Sequence, residues 1–377
     1  MFVSKPIIND GIKKFVSYTL GGSAIGQEVS RRFSDFYSLR EKLIERWPGV
    51  YIPNVPPKKA VGNTDSKIID KRIRLLNRFC YQLSTVNFLF ESEEVKLFQS
   101  NGNEIAKAIS ALSKPNYQEI LEKYKESFPD YYDAYDLVLG KGKLSEFNSF
   151  LKRALNNIKT FSGTVSDSMQ KKEKEIERYM ELMHQFEEHE KYTLMEYAEN
   201  NENKLVFFNP KNAELSEKVL KLKDSIINPY VLLSEWLEEE ELDIEAMLEA
   251  LGSLTNLNNT YDKLGEKLDS IEKDLKSLQY GDLNIVKKLF KKKETEIASL
   301  EKEKETTESN IETLHLIIKY ASFNMEEYLE VFKKDKINEY YKHLKSFSLV
   351  QKENDRVLQD LWGYVKTDLM ELKKDQQ

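Results

Sequence analysis

The stretch of sequence that decides the fold is Arg31-Arg32-Phe33-Ser34-Asp35-Phe36-Tyr37-Ser38-Leu39, which continues to Leu43. It predicts the passage from an extended segment into a helix, because Phe36, Leu39 and Leu43 recur at helical spacing and therefore face a core. Asp35 stands near the helix start, where its side-chain oxygens can accept bonds from free backbone N–H groups. The two arginines come just before this turn, so we expect them to be able to face an anion.

Composition limits the kinds of site that the chain can carry. Of its 377 residues, 32% are charged and 40% hydrophobic, which suits a soluble protein with long exposed helices. One cysteine and four histidines offer too few ligands for a transition-metal site, so we predict neither a metal nor a cofactor. The lone cysteine fits a reducing cytosol. No run of 18 apolar residues predicts a membrane span, and the first residues lack the order of a secretory signal.

Charge is distributed unevenly along the chain, whose formal net charge is −7. Residues 1–110 contain 17 Lys and Arg against 11 Asp and Glu, which gives this part a net charge of +6. The rest of the chain therefore carries −13. A basic front and an acidic rear indicate that the front meets a polyanion.

The first hundred residues read as short strands followed by helices. Three β-patterned segments, Phe2-Val3, 15–20 and 28–32, precede the first helix. A stiff, polyproline-like loop then runs over Pro53-Asn54-Val55-Pro56-Pro57-Lys58-Lys59. The pattern predicts a further helix from Ser66, with an apolar face inward and an opposite face that carries Lys71, Arg72, Arg74 and Arg78.

These motifs, in this order, resemble those of a phox-homology (PX) domain covering about residues 1–105. The resemblance rests on residues 31–36, on the Pro-x-x-Pro loop with its trailing lysine, and on Arg72 four residues before Leu76. It implies an α+β fold with a small antiparallel sheet. It also implies that Arg32 binds the 3-phosphate of phosphatidylinositol 3-phosphate and that Phe33 packs under the inositol ring.

Two further residues take roles from the same resemblance. Lys58 matches the lysine that contacts the 1-phosphate, with Lys59 as the alternative register, and Arg72 matches the arginine that binds the 4- and 5-hydroxyls. The chemistry supports this set, because the planar fork of arginine binds phosphate through two parallel bonds and keeps its charge. The neighbouring arginines have a plainer interpretation: an ion pair that holds the fold for Arg31, and a solvated helix face for Arg74 and Arg78.

A predicted linker at residues 106–142 ends at Gly140-Lys141-Gly142, and an amphipathic helix at residues 143–163 follows. Apolar side chains on one face and basic ones on the other are typical of a helix that lies in a membrane interface. The expected membrane-contacting residues are Phe147, Phe150, Leu151, Lys152, Arg153, Leu155 and Ile158. The alternative is a helix docked on the front domain. Ser162-Gly163 is a plausible hinge.

Three long helices are predicted for residues 164–377, at about 164–199, 212–280 with a kink at Pro229, and 284–370. The Pro-free part of the second spans roughly 75 Å, so such helices must lie side by side. They resemble a BAR domain, an all-α elongated coiled-coil bundle of three helices. A PX domain, an amphipathic helix and this bundle together resemble the sorting nexins of the PX-BAR class.

A lysine-rich segment near the turn between the second and third helices predicts a second membrane contact. In a BAR arrangement it lies near the tip of each arm, where each lysine near an anionic surface contributes about 1 kcal/mol. The plain alternative is a solvated helix start. The residues concerned are Lys287, Lys288, Lys291, Lys292 and Lys293.

The resemblance implies a sorting nexin that binds phosphatidylinositol 3-phosphate, senses or tubulates curved membranes, and works in endosomal sorting and vesicular protein transport. It would be cytoplasmic and peripheral on the cytosolic face of early endosomes. Expected partners are an identical or related subunit in a dimer, an anionic membrane, and a retromer-like coat or cargo, but no nucleic acid. The alternative is a PX-targeted coiled-coil scaffold or tether that does not remodel membranes. No motif predicts an enzyme.

Overall fold

The structure is a computed structural model that describes residues 1–9, 15–22, 26–58, 65–102, 104–128, 135–197, 206–207, 221, 224–280 and 287–374. The chain divides into two compact units. The first contains Met1–Leu155 and Glu241–Phe332, and the second contains Asn156–Glu240 and Lys333–Gln377. Each unit is described by itself below.

Three antiparallel strands in the order β1-β2-β3 begin the first unit: β1 at Phe2–Asn9, β2 at Phe15–Gly21 and β3 at Val29–Arg32. Successive side chains of a strand point to opposite faces of the sheet. In β3 this alternation buries Val29 and Arg31 and exposes Ser30 and Arg32. Two adjacent arginines therefore have opposite surroundings.

Helix α1, at Phe33–Arg46, begins directly after β3. Phe36, Leu39 and Leu43 are fully buried, which confirms the core face predicted from their spacing. The Asp35 carboxylate accepts the backbone N–H of Arg32 at 2.8 Å, so the predicted cap of the helix start is also present. Helices α2 at Ser66–Thr85, α3 at Asn87–Phe90 and α4 at Glu93–Gln99 follow in the chain.

Much of the predicted linker is helical and packs on the strand-containing domain. Helices α5 at Ile105–Ser110 and α6 at Tyr117–Ser127 occupy it. The ring of Tyr124 in α6 is fully buried and stacks on Trp47 with a centroid distance of 6.0 Å. Its hydroxyl donates to the carbonyl of Pro48. The aromatic residues of this segment thus extend the core of the first domain.

Helix α7 runs without a break over Leu137–His189. The predicted end of the linker at Gly140–Gly142 and the predicted hinge at Ser162-Gly163 are therefore wrong. A glycine inside a helix costs roughly 0.5–1 kcal/mol relative to alanine, and burial of apolar residues on both sides, such as Leu151 and Val165, outweighs that cost. A π-helical turn at Glu190–Leu194 and a short helix α8 at Met195–Tyr197 follow, and the predicted end at Asn200-Asn201 lies outside the described residues.

Helix α9 occupies Tyr230–Tyr280 and helix α10 occupies Lys287–Lys374. Pro229 precedes α9 instead of kinking it, because residues 226–228 are not helical and the Asn228 side chain accepts the N–H of Tyr230 at 3.2 Å. The predicted continuous helix over 212–280 is therefore wrong at residues 226–229, where the helix is interrupted, and most of 208–223 lies outside the described residues. The apolar repeat of the third predicted helix consists of Leu314, Ile318, Ala321, Met325, Tyr328 and Phe332. In α10 these residues are buried except Tyr328, which is half-buried.

The second unit has apolar clusters of its own. One contains Met183 and Ile226 with Leu361 and Val365 of α10. The other joins Val165 of α7 to Leu233 and Leu237 of α9. Parts of three long helices thus pack together in this unit, as the apolar repeats predicted.

Candidate functional site

Arg32 lies at the junction between the sheet and α1, with its side chain exposed. Its guanidinium carbon lies 3.7 Å from the centroid of the Phe15 ring in β2. Cation–π contacts of this kind hold a guanidinium over a ring and leave its N–H groups available to an anion. The residue predicted to bind the 3-phosphate is therefore presented to the outside on an aromatic support.

Arg31, the preceding residue, is buried and has a different task. Its guanidinium donates to the backbone carbonyls of Phe98 at 2.8 Å and of Ser30 at 2.6 Å, and also to that of Ser100. Burial lowers the pKa of Arg31, and the nearby Asp35 opposes that shift. Arg31 holds the fold as predicted, but these bonds end on carbonyls instead of the expected carboxylate.

Four side chains form what we call the cation–aromatic cluster: Phe33, Tyr37, Lys58 and Arg72. The Phe33 and Tyr37 rings meet edge to face at 5.3 Å between centroids. The Arg72 guanidinium lies 4.1 Å from the Phe33 centroid, and the Lys58 ammonium lies 4.2 Å from the Tyr37 centroid. Three of the four predicted lipid-binding residues are thus connected through one ring pair.

Tyr37 is the member of this cluster that the sequence analysis missed. It follows Phe33 by four residues on α1, and side chains at that spacing are neighbours on a helix surface. This spacing is the signal that could have found it. Its hydroxyl also donates to the carbonyl of Pro56 at 2.6 Å, just before Lys58.

Arg72 is only 5% exposed, so it is buried and does not lie on the outward face of α2 on which it was predicted together with Lys71 and Arg74. It lies close to Tyr18 of β2, whose pKa is raised by burial and pulled the other way by the Arg72 charge. A guanidinium surrounded by protein interacts more strongly with an anion than one in water. The burial of Arg72 therefore suits it for contacting a ligand that enters from one side.

Residues 51–58, which we call the Pro loop, carry Lys58 at their end. The backbone carbonyl of Pro53 accepts a bond of 2.9 Å from Nε of Arg40 in α1. With the bond from Tyr37 to Pro56, two side chains one turn apart on α1 hold the loop. The alternative lysine, Lys59, and the apolar residue Val61 beyond it lie outside the described residues.

Contacts within the first unit also join the N-terminal domain to the long helices. Arg78 of α2 forms an ion pair with the buried Asp243 of α9, which also accepts from Gln82 at 3.0 Å. The prediction of a solvated Arg78 is therefore wrong. Arg40 forms a second ion pair, with Glu249 of α9.

Residues at the entrance of the Pro loop also contact the long helices. Tyr51 stacks on Tyr328 of α10 at 4.7 Å between centroids, and its burial raises its pKa well above the ordinary value. Gly49 has a φ of +82° and donates its N–H to the Ser253 hydroxyl at 3.0 Å. A Cβ on Gly49 would lie 3.2 Å from the Cβ of Ala321. The positive φ of residue 49 and the close neighbouring side chain both favour glycine at this position.

The structure divides the residues predicted to contact membrane on α7. Phe147 and Leu151 are buried, and Phe147 meets Phe332 of α10 edge to face at 6.4 Å. Ile158 packs against the cluster around Leu233, and Leu155 is half-buried. Phe150 is 51% exposed, and Lys152 and Arg153 are exposed beside it. The expected apolar membrane face is thus partly occupied by protein, and much of it docks on long helices instead of on the front domain.

The predicted tip lysines fall in the first turns of α10, which begins at Lys287. Their side chains, those of Lys287, Lys288, Lys291, Lys292 and Lys293, lie outside what the structure describes. Among the residues it does describe, no helix is both long and apolar enough to cross a membrane. The same residues contain no group of three or more His, Cys, Asp or Glu side chains placed to hold a metal ion.

Comparison with known proteins places the N-terminal part in a family. The model of the PX domain matches residues 22–101. Sorting nexin MVP1 of Candida albicans is 41% identical over 81 residues, which are 21% of this chain and 11% of that protein. Human sorting nexin-8 is 32% identical over 87 residues, 23% of this chain and 18% of that protein. The chain thus matches less than a fifth of the length of these curated relatives.

One solved structure resembles the chain beyond that domain. The alignment with the cryo-EM structure of the SNX-BAR Mvp1 tetramer includes 97% of this chain and 99% of that chain. Its TM-score is 0.51 and its sequence identity is 16%. At this identity the likeness concerns the fold, which is a small sheet with helices followed by long helices. The chain therefore contains a PX domain at residues 22–101 and shares the overall fold of the SNX-BAR Mvp1 structure.

Proposed function

We propose that this protein binds phosphatidylinositol 3-phosphate through Arg32, Phe33, Lys58 and Arg72 and acts as a peripheral sorting nexin on endosomal membranes. The observation that carries the proposal is the cation–aromatic cluster beside the exposed Arg32. The Phe33 and Tyr37 rings are in edge-to-face contact, and each ring carries one of the two cations, Arg72 and Lys58. The headgroup of phosphatidylinositol 3-phosphate, an inositol ring with two phosphates, fits such a site, because the phosphates can meet cations and the C–H groups of the ring can meet an aromatic wall.

The test is a titration of the full chain with soluble dibutanoyl phosphatidylinositol 3-phosphate and, in parallel, with the 4- and 5-phosphate isomers. We expect the 3-phosphate to bind best and Arg32→Ala to weaken its binding by about 10- to 150-fold, the loss of a charge-assisted bond of roughly 1.5–3 kcal/mol. Arg178→Ala, at an exposed position of α7, is the matched control. Undiminished binding by Arg32→Ala would contradict the site assignment.

Dimerisation through the long helices is the second part of the proposal. Several apolar side chains of α10 in the second unit are exposed, namely Ile337, Tyr340, Tyr341, Leu344 and Leu349. An exposed apolar surface of this kind favours burial against another chain, either a second copy or a related sorting nexin. Two headgroup sites on one dimer would raise membrane attachment through effective concentration. Mass measurement in solution, with Tyr341→Glu as the disrupting variant, tests this part.

The remodelling step is the third part, in which the dimer senses or tubulates curved membrane. The exposed Phe150 with its basic neighbours supports shallow insertion. Vesicles containing phosphatidylinositol 3-phosphate and phosphatidylserine should become tubular at high protein density. Binding without a change of vesicle shape would contradict this step.

A specific observation favours the second candidate, a PX-targeted scaffold that does not remodel membranes. Phe147 and Leu151, the centre of the predicted insertion face, are buried in protein. Under this candidate the long helices would instead recruit a retromer-like coat or cargo to the cytosolic face of early endosomes. Neither candidate includes an enzymatic step.

A further inference from the structure

The Pro loop is held by a chain of contacts that begins in the long helices. All of these contacts lie within the first unit. Arg40 of α1 uses two different nitrogens: Nε donates to the carbonyl of Pro53 at 2.9 Å, and Nη2 forms an ion pair with Glu249 of α9. The Arg40 side chain is only 11% exposed, so it is largely surrounded by protein at this position.

The other end of the Pro loop carries the predicted ligand-binding lysine. Tyr37, one turn before Arg40, bonds the carbonyl of Pro56 at 2.6 Å and lies under the Lys58 ammonium. The proline-rich composition makes the segment between these two bonds stiff. A displacement at Pro53 is therefore transmitted to Lys58 instead of being absorbed by the residues between them.

The ion pair with Glu249 orients the Arg40 guanidinium. An arginine side chain has many rotamers, and an ion pair with a carboxylate selects the few that place both groups correctly. Without the Glu249 carboxylate, the Arg40 guanidinium can adopt several orientations. Only some of these orientations keep the bond to the Pro53 carbonyl. Ligand affinity falls when a binding segment must be ordered at the moment of binding.

We propose that Glu249 is a positioning residue for the headgroup site, which acts through Arg40 on the Pro loop and thereby on Lys58. The inference rests on the proposed function, since it concerns the same site. It assigns the long helices a part in lipid recognition besides dimerisation. In this arrangement α9 supplies the carboxylate, on a side chain that is 46% exposed, that pairs with the arginine holding the lysine-bearing loop.

The experiment uses the full chain and dibutanoyl phosphatidylinositol 3-phosphate as the probe. Glu249→Gln, which keeps the side-chain volume, should weaken binding by about three- to tenfold, and Arg40→Met by more, because it removes both bonds. In the Lys58→Ala background, Glu249→Gln should change the affinity by less than twofold, because non-additivity marks residues that act through one another. Equal losses in both backgrounds would overturn the proposal.

Glu272→Gln is the matched control, because Glu272 is also a carboxylate of α9 and forms its ion pair with Lys304 of α10 at 2.8 Å. It should leave the affinity within twofold of wild type. Amide hydrogen exchange supplies a readout without lipid: the loop amides at residues 51–58 should exchange several-fold faster in Glu249→Gln than in wild type, and at the wild-type rate in Glu272→Gln. Equal exchange in wild type and Glu249→Gln would overturn the positioning role.

Arg32→Ala, measured in the same titration, separates the two claims. If wild type and Arg32→Ala bind equally, the headgroup site itself is wrong, and the proposed role in recognition is wrong with it. If Arg32→Ala abolishes binding while Glu249→Gln leaves affinity and loop exchange unchanged, the headgroup site stands and only the positioning role is wrong.

Discussion

The cation–aromatic cluster of the N-terminal domain and the basic amphipathic part of α7 are built from the same residue types, phenylalanine with lysine and arginine. In the cluster, the Phe33 ring supports the Arg72 guanidinium and the Tyr37 ring supports the Lys58 ammonium. In α7, Phe147 is buried against the protein and the basic residues point away from it. Similar composition therefore forms an aromatic support for cations, the proposed ligand site, in one region and a packed helix face in the other, and the contacts of the rings make the difference.

The largest effect expected from this comparison concerns Leu151, which is 1% exposed. Leu151→Ala should lower the free energy of unfolding by about 2–5 kcal/mol, because it leaves a cavity among packed side chains. The affinity for soluble phosphatidylinositol 3-phosphate should stay unchanged. Denaturant unfolding and the lipid titration measure the two quantities.

Leu139→Ala on the same helix is the control for that experiment. Leu139 is 60% exposed, and its truncation should change stability by less than about 0.5 kcal/mol. If Leu151→Ala were as mild as this control, Leu151 would not be packed in solution, and its proposed contact with lipid would regain support.

The next effect is a dependence on pH that separates the charged core of the N-terminal domain from the apolar core around α7. Glu94 of α4 is buried, which by itself raises its pKa, but backbone N–H groups, Lys123 of α6 and Arg46 of α1 outweigh burial and hold the pKa below its usual value. The folded state therefore gains stability above the unfolded pKa of about 4.3. This gain is lost as the pH falls through the lower folded pKa.

The measurement is the unfolding free energy of wild type and Glu94→Gln between pH 7 and pH 3. A single carboxyl can change the slope by at most about 1.4 kcal/mol per pH unit. We expect the variant to lose less stability than wild type on acidification below about pH 4.3. Parallel pH profiles for the two proteins would show that Glu94 is not held by Lys123 and Arg46 in solution.

A smaller effect is expected at Tyr37, which tests whether the rings of the cation–aromatic cluster contribute to ligand binding. Tyr37→Leu removes the ring under Lys58 and the bond to Pro56. Binding of soluble phosphatidylinositol 3-phosphate should weaken about two- to fivefold, since an exposed cation–π contact contributes roughly 0.5–1 kcal/mol. Tyr81→Leu, at a position of α2 that is 68% exposed, is the control and should bind as wild type does.

The smallest change is expected for Phe150, the exposed aromatic residue of the α7 segment. Phe150→Ser should leave both stability and soluble-headgroup affinity almost unchanged and reduce only partitioning onto lipid vesicles, because the ring enters the interface only when a bilayer is present. Val138→Ser, also exposed on α7, is the matched control. Equal partitioning of the two variants would favour the non-remodelling scaffold.

The short motifs of the sequence predicted the N-terminal domain well, because each fixes a local geometry. The alternation in β3 and the spacing of Phe36, Leu39 and Leu43 follow from the periods of strands and helices, and both are present. The alternation also accounts for the difference between Arg31 and Arg32. Lys58 and Arg72 were named through a resemblance, and the structure brings them together on one ring pair.

Sequence periodicity could not decide what an apolar face packs against. The pattern of α7 is the same whether Phe147 meets lipid or Phe332 of α10, since the partner is distant in the chain. For the same reason Arg78 appeared solvated although Asp243, 165 residues away, binds it. The glycines of α7 led to a wrong prediction of breaks in the helix for another reason. The helix propensity that a glycine loses is smaller than the stabilisation that the packing of the helix supplies.

Gly49 has a consequence for how a membrane would orient the protein. The absence of one methyl group there lets the N-terminal domain approach α9 and α10 closely, with Leu254 and Ala321 directly opposite. If Arg32 binds a lipid headgroup as proposed, the packing at Gly49 sets the angle at which the adjoining parts of these helices would lie over a bilayer. A larger residue at position 49 would change that angle without replacing any of the proposed lipid-binding side chains.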